Sequence, residues 1–454
     1  MMIATTINVI SELLWQFFLP LLILLGLFIN AKMINNFTSL SKPDSSPWTF
    51  SKIKGALSIS LASKVGTGAI IGVLAAMAQS SQNGSNGTGV GIVFWVLVGL
   101  FFLVPITYSE VLFTQICKQS PRDFIATYLN KKMATIYALG LVALYSFGFV
   151  GFQLTGVQTV IRYVSETYLD YSFTSIHALL FIVLPVVLCA AMVIITKSHQ
   201  LFINTLSSLV FIIILSYLVF FLFFVYQTSD FITVYCQQIW SQVTNFTSVA
   251  IGLPVGLIIA FQRIIQISET SLGTSALSSS DRENSPRREA LIQTISTLIS
   301  IAIAVLITTY VFAYGQTFID SVSLSGSSFE RVQGYIFTVY SVTGYVGLII
   351  VLLFFIVSGF TTILGSFHYV NTSLKLSENG RITAYLVLIS LSGALSVTHF
   401  DIIFEASNLL MFIVGFINLC AMARFINNKL HYVKPDNTEL SNNKFNNHKT
   451  INNA

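Results

Sequence analysis

Long apolar runs separated by short polar segments make up most of this chain. A helical membrane span needs roughly 20 predominantly apolar residues, and eleven runs reach about that length. They cover residues 9–31, 55–80, 88–117, 133–160, 175–196, 201–226, 246–267, 290–316, 338–372, 382–398 and 403–424. The pattern predicts an all-α polytopic membrane protein with eleven transmembrane helices. Because no small-residue cleavage site follows the first run, we expect a retained helix there rather than a signal peptide.

Polar residues interrupt the second run near its middle. Val65, Gly66, Thr67 and Gly68 follow Lys64 inside an otherwise apolar stretch. Backbone that is unwound at membrane depth has no lipid partner for its hydrogen bonds, so it persists only where it lines a cavity or is bonded by protein, water or ligand. This interruption therefore predicts a broken helix that forms part of a binding site.

A second polar interruption, Ser358-Gly359-Phe360-Thr361-Thr362, lies in the ninth run. At 1.5 Å per residue, Thr361 lies roughly 16 Å and Lys64 roughly 15 Å from the inner ends of their helices. Hydroxyls and freed carbonyls are hard oxygen donors, so two interruptions at one depth suit a small hard cation. The alternative is that the threonines only bond back to carbonyl groups of their own helix.

Composition and charge define the environment and the orientation of the chain. Its 454 residues are 54% hydrophobic and only 9% charged, whereas about a quarter of the residues in soluble domains are charged. With the amino terminus outside, 19 of the 23 Lys and Arg residues fall in cytoplasmic loops or the carboxy-terminal tail, as the positive-inside rule requires. The basic residues thus belong to the topology, and we expect no nucleic-acid partner. Residues 425–454 are predicted to form a polar, disordered cytoplasmic tail.

Ionisable residues inside the predicted helices are the main candidates for chemistry, because each is costly to insert in a membrane. Lys64 is either a cation or proton-exchanging group beside the site, or one half of a structural ion pair with Glu110. Arg263 and Glu269 of the seventh helix are interpreted as an inner-gate or structural ion pair. Gln153 either contacts a substrate or bridges two helices.

Motifs for catalysis, metal binding and nucleotide binding are missing from the sequence. Its four cysteines are far apart, and no His or Cys cluster has metal-ligand spacing. There is no nucleotide-binding loop, no GxSxG and no HExxH motif. We therefore expect neither an enzyme nor a step driven by ATP, and a polytopic membrane enzyme is the disfavoured alternative.

Five short blocks, in order along the chain, carry a resemblance to a known family. They are residues 57–70, ending Lys-Val-Gly-Thr-Gly-Ala-Ile, residues 92–95, residues 108–111, residues 268–273 (Ser-Glu-Thr-Ser-Leu-Gly) and residues 360–365 (Phe-Thr-Thr-Ile-Leu-Gly). In these blocks the chain resembles the sodium:alanine/glycine symporter family of amino acid:cation symporters, which has Val-Gly-Thr-Gly-Asn-Ile, Asn-Glu-Ala-Gly-Met-Gly and Phe-Ser-Thr-Ile-Leu-Gly at the first, fourth and fifth. The resemblance covers nearly all eleven predicted helices.

The resemblance implies the leucine-transporter fold. One extra amino-terminal helix and its cytoplasmic loop (1–54) precede two inverted five-helix repeats, which comprise helices two to six (55–226) and helices seven to eleven (246–424). The first helix of each repeat is then discontinuous. This agrees with the break in the second helix and predicts another near Gly252 to Gly256.

The resemblance also implies two binding sites. Backbone amides of Gly66, Thr67 and Gly68 would hold the carboxylate of the substrate, and Gln153 looks like the family's substrate-contacting glutamine. A sodium site would use four residues, through the carbonyls of Ala62 and Val65 and the hydroxyls of Thr361 and Thr362.

Two departures from the family pattern affect these sites. Ala69 stands where the family has Asn, and Lys64 where it has a small residue. An ammonium about 4 Å from sodium would repel it by about 4 kcal/mol at an effective dielectric constant of about 20. Lys64 therefore points away from the sodium site, exchanges protons during the cycle, or replaces sodium as the cation.

Together these features predict a secondary active transporter in the bacterial inner membrane. It would import a small neutral amino acid, alanine or glycine, by alternating access driven by sodium or protons. No cofactor is expected apart from a coupling sodium ion. A transport-inactive sensor or receptor that retains the fold is the alternative, because Lys64 and Ala69 alter the expected sites.

Overall fold

The computed structural model describes residues 2–36, 53, 57, 60–82, 87–196, 199–244, 255–279 and 285–429. Throughout this part of the chain the regular structure is helical, and it contains no strand. We number the helices in chain order. They are α1 (Met2–Asn36), α2 (60–64), α3 (Thr67–Gln82), α4 (Ile92–Cys117), α5 (Pro121–Tyr128), α6 (Lys131–Tyr168), α7 (Ser175–Ile195), α8 (His199–Gln227), α9 (Phe231–Thr244), α10 (Val255–Ser268), α11 (Thr274–Ser278), α12 (Pro286–Phe318), α13 (Ser328–Ser373), α14 (Glu378–Thr398) and α15 (Phe400–Lys429).

Within the described residues, nine helices are long and apolar enough to cross a membrane. They are α1, α4, α6, α7, α8, α12, α13, α14 and α15. The second and seventh predicted runs contain shorter apolar helices, Thr67–Ser81 and Val255–Ser268. The prediction of an all-helical, multi-pass membrane protein is confirmed. The second predicted break, near Gly252, lies mostly outside the described residues.

Serine caps start several helices where the sequence turns from a polar loop to an apolar run. The hydroxyls of Ser120, Ser285 and Ser377 accept backbone N–H bonds at the starts of α5, α12 and α14. At α13, Ser327 and Glu330 form a reciprocal capping box. Each cap satisfies an N–H group that the first helical turn leaves without a partner.

The broken pair α2 and α3 lies inside the bundle, and α6, α10 and α13 pack on α3. Glycine permits two of the close contacts around it. A side-chain carbon on Gly156 of α6 would overlap Thr67, and one on Gly359 of α13 would overlap Val157 of α6. Small residues at helix crossings let transmembrane helices approach closely, so these glycines bring α3, α6 and α13 together at the break.

Irregular turns modify three of the long helices. The π-helical turns are Leu144–Phe149 in α6, Leu179–Val183 in α7 and Ala302–Ile307 in α12. Such turns often mark functional segments of helices. The sequence gives no sign of them, because a single extra residue in a turn leaves an apolar run unchanged.

Two predicted boundaries were wrong. The ninth span was predicted from residue 338, but α13 begins at Ser328 because of the capping box before it. The polar tail was predicted from residue 425, but α15 continues to Lys429. The rest of that tail, residues 430–454, lies outside the described part of the chain.

Candidate functional site

The helix break predicted from the sequence lies between α2 and α3. Val65 and Gly66 are not helical, and α3 begins at Thr67. The Val65 amide still donates to the Leu61 carbonyl, one helical turn back, at 2.8 Å. The Ala69 amide donates to the Gly66 carbonyl at 3.1 Å. These residues are all buried. The unwound segment is therefore shorter than predicted, since Thr67 and Gly68 already belong to α3.

Gln153 of α6 faces this break. Its Oε1 accepts hydrogen bonds from the Thr67 hydroxyl at 2.9 Å and from the Gly68 amide at 3.2 Å. A side-chain carbon on Gly66 would overlap the same amide oxygen, so glycine is needed for the approach. Amide and carboxylate oxygens accept the same kinds of hydrogen bond. Gln153 thus occupies an acceptor position at the start of α3, where a helix N-terminus favours negative charge.

The second polar interruption packs against the first. The Thr362 hydroxyl lies 2.9 Å from the Ala62 carbonyl of α2 and 2.9 Å from the Ser358 carbonyl of its own helix. The Thr361 hydroxyl donates to the same Ser358 carbonyl at 3.0 Å. Back-bonding within α13 therefore occurs, and Thr362 in addition reaches α2. Val65, the other predicted carbonyl ligand, lies in the break and is 5% exposed.

These groups fit a small hard cation chemically. All of them are neutral oxygens, and a hydroxyl that donates its hydrogen keeps lone pairs for a cation. The Ser358 carbonyl is a further candidate ligand that was not predicted from the sequence, and both threonine hydroxyls bond to it. Ser358 lies one helical turn before the paired threonines, and this spacing could have identified its carbonyl as a candidate ligand from the sequence.

Lys64 points away from these threonines. Its Nζ donates to the hydroxyls of Ser275 on α11 at 3.2 Å and Thr297 on α12 at 3.3 Å. The side chain is 3% exposed. Among the described residues Lys64 forms no salt bridge within 4 Å, so the predicted pairing with Glu110 is not a direct contact, although the two side chains interact electrostatically. The ammonium instead reaches two hydroxyls on other helices. Of the three alternatives for Lys64, this geometry agrees with a side chain that faces away from the cation site.

Glu269 lies at the end of α10 and begins a chain of hydroxyl groups. Its Oε2 accepts from the Ser63 hydroxyl at 3.2 Å. Ser63 Oγ is 2.7 Å from the Tyr369 hydroxyl, which is 2.7 Å from the Ser278 hydroxyl of α11. All four residues are buried, and Glu269 Oε1 has no hydrogen-bond partner in the described structure. A continuous chain therefore joins the carboxyl group to α11.

Glu110 of α4 is the second buried carboxyl group of this region, and it is 1% exposed. Its Oε2 accepts from Asn418 Nδ2 at 3.2 Å, and the same nitrogen lies 2.9 Å from the Ser271 carbonyl. Glu110 Oε1 has no partner among the described residues. Ser271 and Glu269 have positive φ angles of 69° and 59°. Such backbone is strained in residues other than glycine and is typical of functional segments.

Arg263 does not pair with Glu269, so that predicted ion pair was wrong. The two residues are six positions apart, or about 1.7 helical turns, and their side chains therefore leave α10 on different sides. Arg263 instead donates to Gln266 and to Asn408 Oδ1, the latter at 3.1 Å. Its guanidinium lies 4.8 Å from the ring centre of Phe404. Arg263 thus links α10 to α15.

Structural comparison identifies solved proteins with a similar fold. It is similar to a Na+-coupled sialic acid symporter solved in a substrate-bound outward-open state, with 13% identity, a TM-score of 0.50 and coverage of 89% of this chain and 84% of the other. It is also similar to a manganese transporter of Eremococcus coleocola, with 13% identity, a TM-score of 0.46 and coverage of 83% and 78%. The first similarity shows a shared fold, and the second is too weak to support an argument.

Sequence comparison gives the family. No curated protein matches the chain. The profile described as the sodium:alanine symporter family matches residues 1–449, almost the whole chain and both polar interruptions. This confirms the resemblance that the sequence blocks indicated, and a symporter is a membrane transporter rather than an enzyme. The chain belongs to the sodium:alanine symporter family.

Proposed function

We propose that this protein imports a small neutral amino acid, of the alanine or glycine class, by cation-coupled alternating access. The observation that carries the proposal is the buried break at Val65 and Gly66, which lies between Gln153 and Thr362. One side of the break presents N–H and O–H donors, and the other presents neutral oxygens. A site of this kind offers donors to a substrate carboxylate and oxygen ligands to a cation.

The substrate carboxylate is assigned to the start of α3. There it would accept bonds from the amides of Gly66, Thr67 and Gly68, favoured by the positive end of the helix. Gln153 Oε1 now accepts two of the available bonds, so the substrate would displace it and leave its amide free to contact the ligand. An ideal side-chain carbon on Gly68 would be 2.8 Å from Phe152 Cβ, and such crowding favours a small substrate.

The coupling ion is assigned to the crossing of α2 and α13. Sodium would take the carbonyls of Ala62, Val65 and Ser358 and the hydroxyls of Thr361 and Thr362. When bound, it would supply positive charge beside the break. Because ion ligands would lie on the α2 side of the break and the carboxylate-binding amides on its α3 side, either ligand would help to order the same short segment. Shared ordering of this kind couples two binding equilibria reciprocally.

The global motion is proposed from the family relationship. Eleven spans arranged as one extra helix and two inverted five-helix repeats would rock about the fixed central site. Lys64 is our candidate for a coupling residue, because its bonds to Ser275 and Thr297 join α2 to two helices of the proposed second repeat.

Counterflow in proteoliposomes tests the transport proposal. Vesicles loaded with unlabelled alanine should accumulate labelled alanine from a trace external concentration, and excess external glycine should compete. Protein-free vesicles are the control. If purified protein binds labelled alanine but exchanges none under an imposed sodium or proton gradient, the sensor or receptor alternative is correct and the transporter proposal is wrong.

A further inference from the structure

Three buried ionisable side chains form a group beside the helix break. Lys64, Glu110 and Glu269 are only 3%, 1% and 1% exposed. They come from α2, from α4 and from the end of α10, and Lys64 interacts electrostatically with both carboxyl groups. On the basis of the proposed function, we propose that Glu110 and Glu269 share one exchangeable proton that is transported with the substrate, at a site separate from the sodium ligands.

The charge balance of this cluster calls for one proton. Two ionised carboxylates and one ammonium leave an excess of one negative charge in a buried, membrane-embedded position. Buried charge without compensation is strongly unfavourable, and such groups neutralise. The ammonium of Lys64 is a donor only, and it is held by the hydroxyls of Ser275 and Thr297. Because loss of the Lys64 proton would increase the excess of negative charge, the exchangeable proton belongs to a carboxyl group rather than to Lys64.

The hydrogen bonds of the two carboxyl groups show where the proton binds. Glu110 Oε2 accepts from Asn418, and Glu269 Oε2 accepts from Ser63. The Oε1 atom of each glutamate has no partner at full hydrogen-bond geometry among the described residues, although the Tyr145 and Thr274 hydroxyls interact with Glu269 and the Gly273 amide interacts with Glu110. An unpartnered oxygen of a buried carboxylate is costly, and protonation removes much of that cost. Each glutamate thus offers one bonded oxygen and one oxygen free to take the proton.

The other titratable groups around the two glutamates are three phenols and a histidine beside one of them. The titratable residues that face the two glutamates are the phenols of Tyr137, Tyr145 and Tyr369. His368, beside Tyr369, lies against the Leu277 carbonyl at 3.4 Å. On α12 the charged residues are confined to positions 287–289, about two helical turns from Thr297. The phenols are neutral near pH 7, so the three-charge balance describes the cluster.

A hydroxyl chain provides a route for the proton. It runs from Glu269 through Ser63 and Tyr369 to Ser278, with successive separations of 3.2, 2.7 and 2.7 Å. A hydroxyl can accept one proton while it releases its own. Once the protonated carboxyl group turns its O–H toward Ser63 Oγ, Ser63 would accept that proton and pass its own hydrogen to Tyr369. Tyr369 would pass its own to Ser278, and Ser278 would release its own to water on the cytoplasmic side. Ser278 precedes the loop that our topology places in the cytoplasm.

The test measures proton movement and substrate exchange in the same vesicles. Wild-type protein is reconstituted with a pH-sensitive dye in the lumen, the membrane potential is clamped with potassium and valinomycin, and alanine is added outside with sodium at equal concentration on both sides. We expect the lumen to acidify as alanine enters. Glu110→Gln and Glu269→Gln, which imitate the protonated carboxyl group, should abolish acidification while alanine counterflow persists.

Two further variants make the result specific. Glu405→Gln changes a partly buried carboxyl group of α15 outside the cluster and should keep the acidification. Tyr369→Phe keeps the ring but removes the hydroxyl link, so acidification should be slower, with the same final extent.

Clear outcomes overturn the proposal. It fails if wild-type vesicles show net uptake of alanine without acidification, or if Glu110→Gln and Glu269→Gln both acidify like wild type. If either glutamine variant does not fold, the Tyr369→Phe variant still tests the hydroxyl chain. An acidification rate equal to that of wild type would then rule out this proton route. Absence of counterflow in the wild type would instead refute the proposed transport function.

Discussion

Thr362 is the side chain that joins the two polar interruptions. It is 1% exposed, and its hydroxyl lies 2.9 Å from carbonyls on two different helices. Its partners Ala62 and Ser358 are themselves assigned to the cation. A change that removes this hydroxyl but keeps the side-chain shape should therefore affect ion binding more than packing.

We predict that Thr362→Val weakens the dependence of uptake on sodium. A hydrogen bond or ligand contact contributes about 1 kcal/mol net, so the sodium concentration for half-maximal alanine uptake should rise by about five- to tenfold. Thr338→Val is the matched control, because the Thr338 hydroxyl of the same helix bonds back to Gly334 at 2.8 Å. Equal sodium dependence in both variants and wild type would remove Thr362 from the cation site.

The residue scale also shows what a sequence can predict about a site. The polar interruptions and Gln153 were identified from residue type and family resemblance, and the structure brings them together. The partners of Lys64 and Arg263 were not identified. Both side chains reach helices distant in sequence, to Thr297 and Asn408, and such contacts depend on helix rotation and packing, which a single sequence does not define.

At the scale of elements, α13 illustrates how one residue redirects a helix. The helix has 46 residues and, if straight, would be about 69 Å long, more than twice the roughly 30 Å thickness of a bilayer core. Gly344 interrupts it with φ 63° and ψ −154°. That backbone region is essentially restricted to glycine. The kink therefore separates the capped start of α13 from the part that carries the threonines.

We predict that Gly344→Ala destabilises the protein although there is space for the methyl group. No atom lies within 4 Å of the added carbon, so the cost of about 1–3 kcal/mol comes from the backbone conformation. Gly334→Ala, in regular helix with its nearest neighbour at 3.4 Å, should be neutral or slightly stabilising. Thermal unfolding of both variants in detergent measures the difference. A Gly344→Ala midpoint equal to that of Gly334→Ala would contradict the proposed strain.

Element prediction succeeded where length and apolar character sufficed. The long spans were found in this way, whereas α5 and α9 were missed. α5 has only 8 residues, and α9 carries polar Gln237 and Gln238 beside exposed Trp240. Neither is a membrane span by length and composition, and each needs the surrounding bundle to explain its position.

At the scale of the whole molecule, orientation determines the direction of every proposed step. The concentration of basic residues in alternate loops predicts that the carboxy terminus lies in the cytoplasm. In that orientation Ser278 lies toward the cytoplasm, and the hydroxyl chain would release its proton there. The inverse orientation would reverse the proton path without changing a single contact in the structure.

Reporter fusions in a bacterial host test this orientation. Green fluorescent protein fused after residue 454 should fluoresce, because it folds in the cytoplasm, and alkaline phosphatase at the same point should be inactive. Alkaline phosphatase fused after Tyr171, between α6 and α7, should be active, since that loop is predicted outside. The opposite orientation would place Lys131 and Lys132, which begin α6, on the outer side and would therefore oppose the positive-inside preference. An inactive phosphatase after Tyr171 together with an active one at the carboxy terminus would invert the topology, and the proton would then leave Ser278 on the outer side.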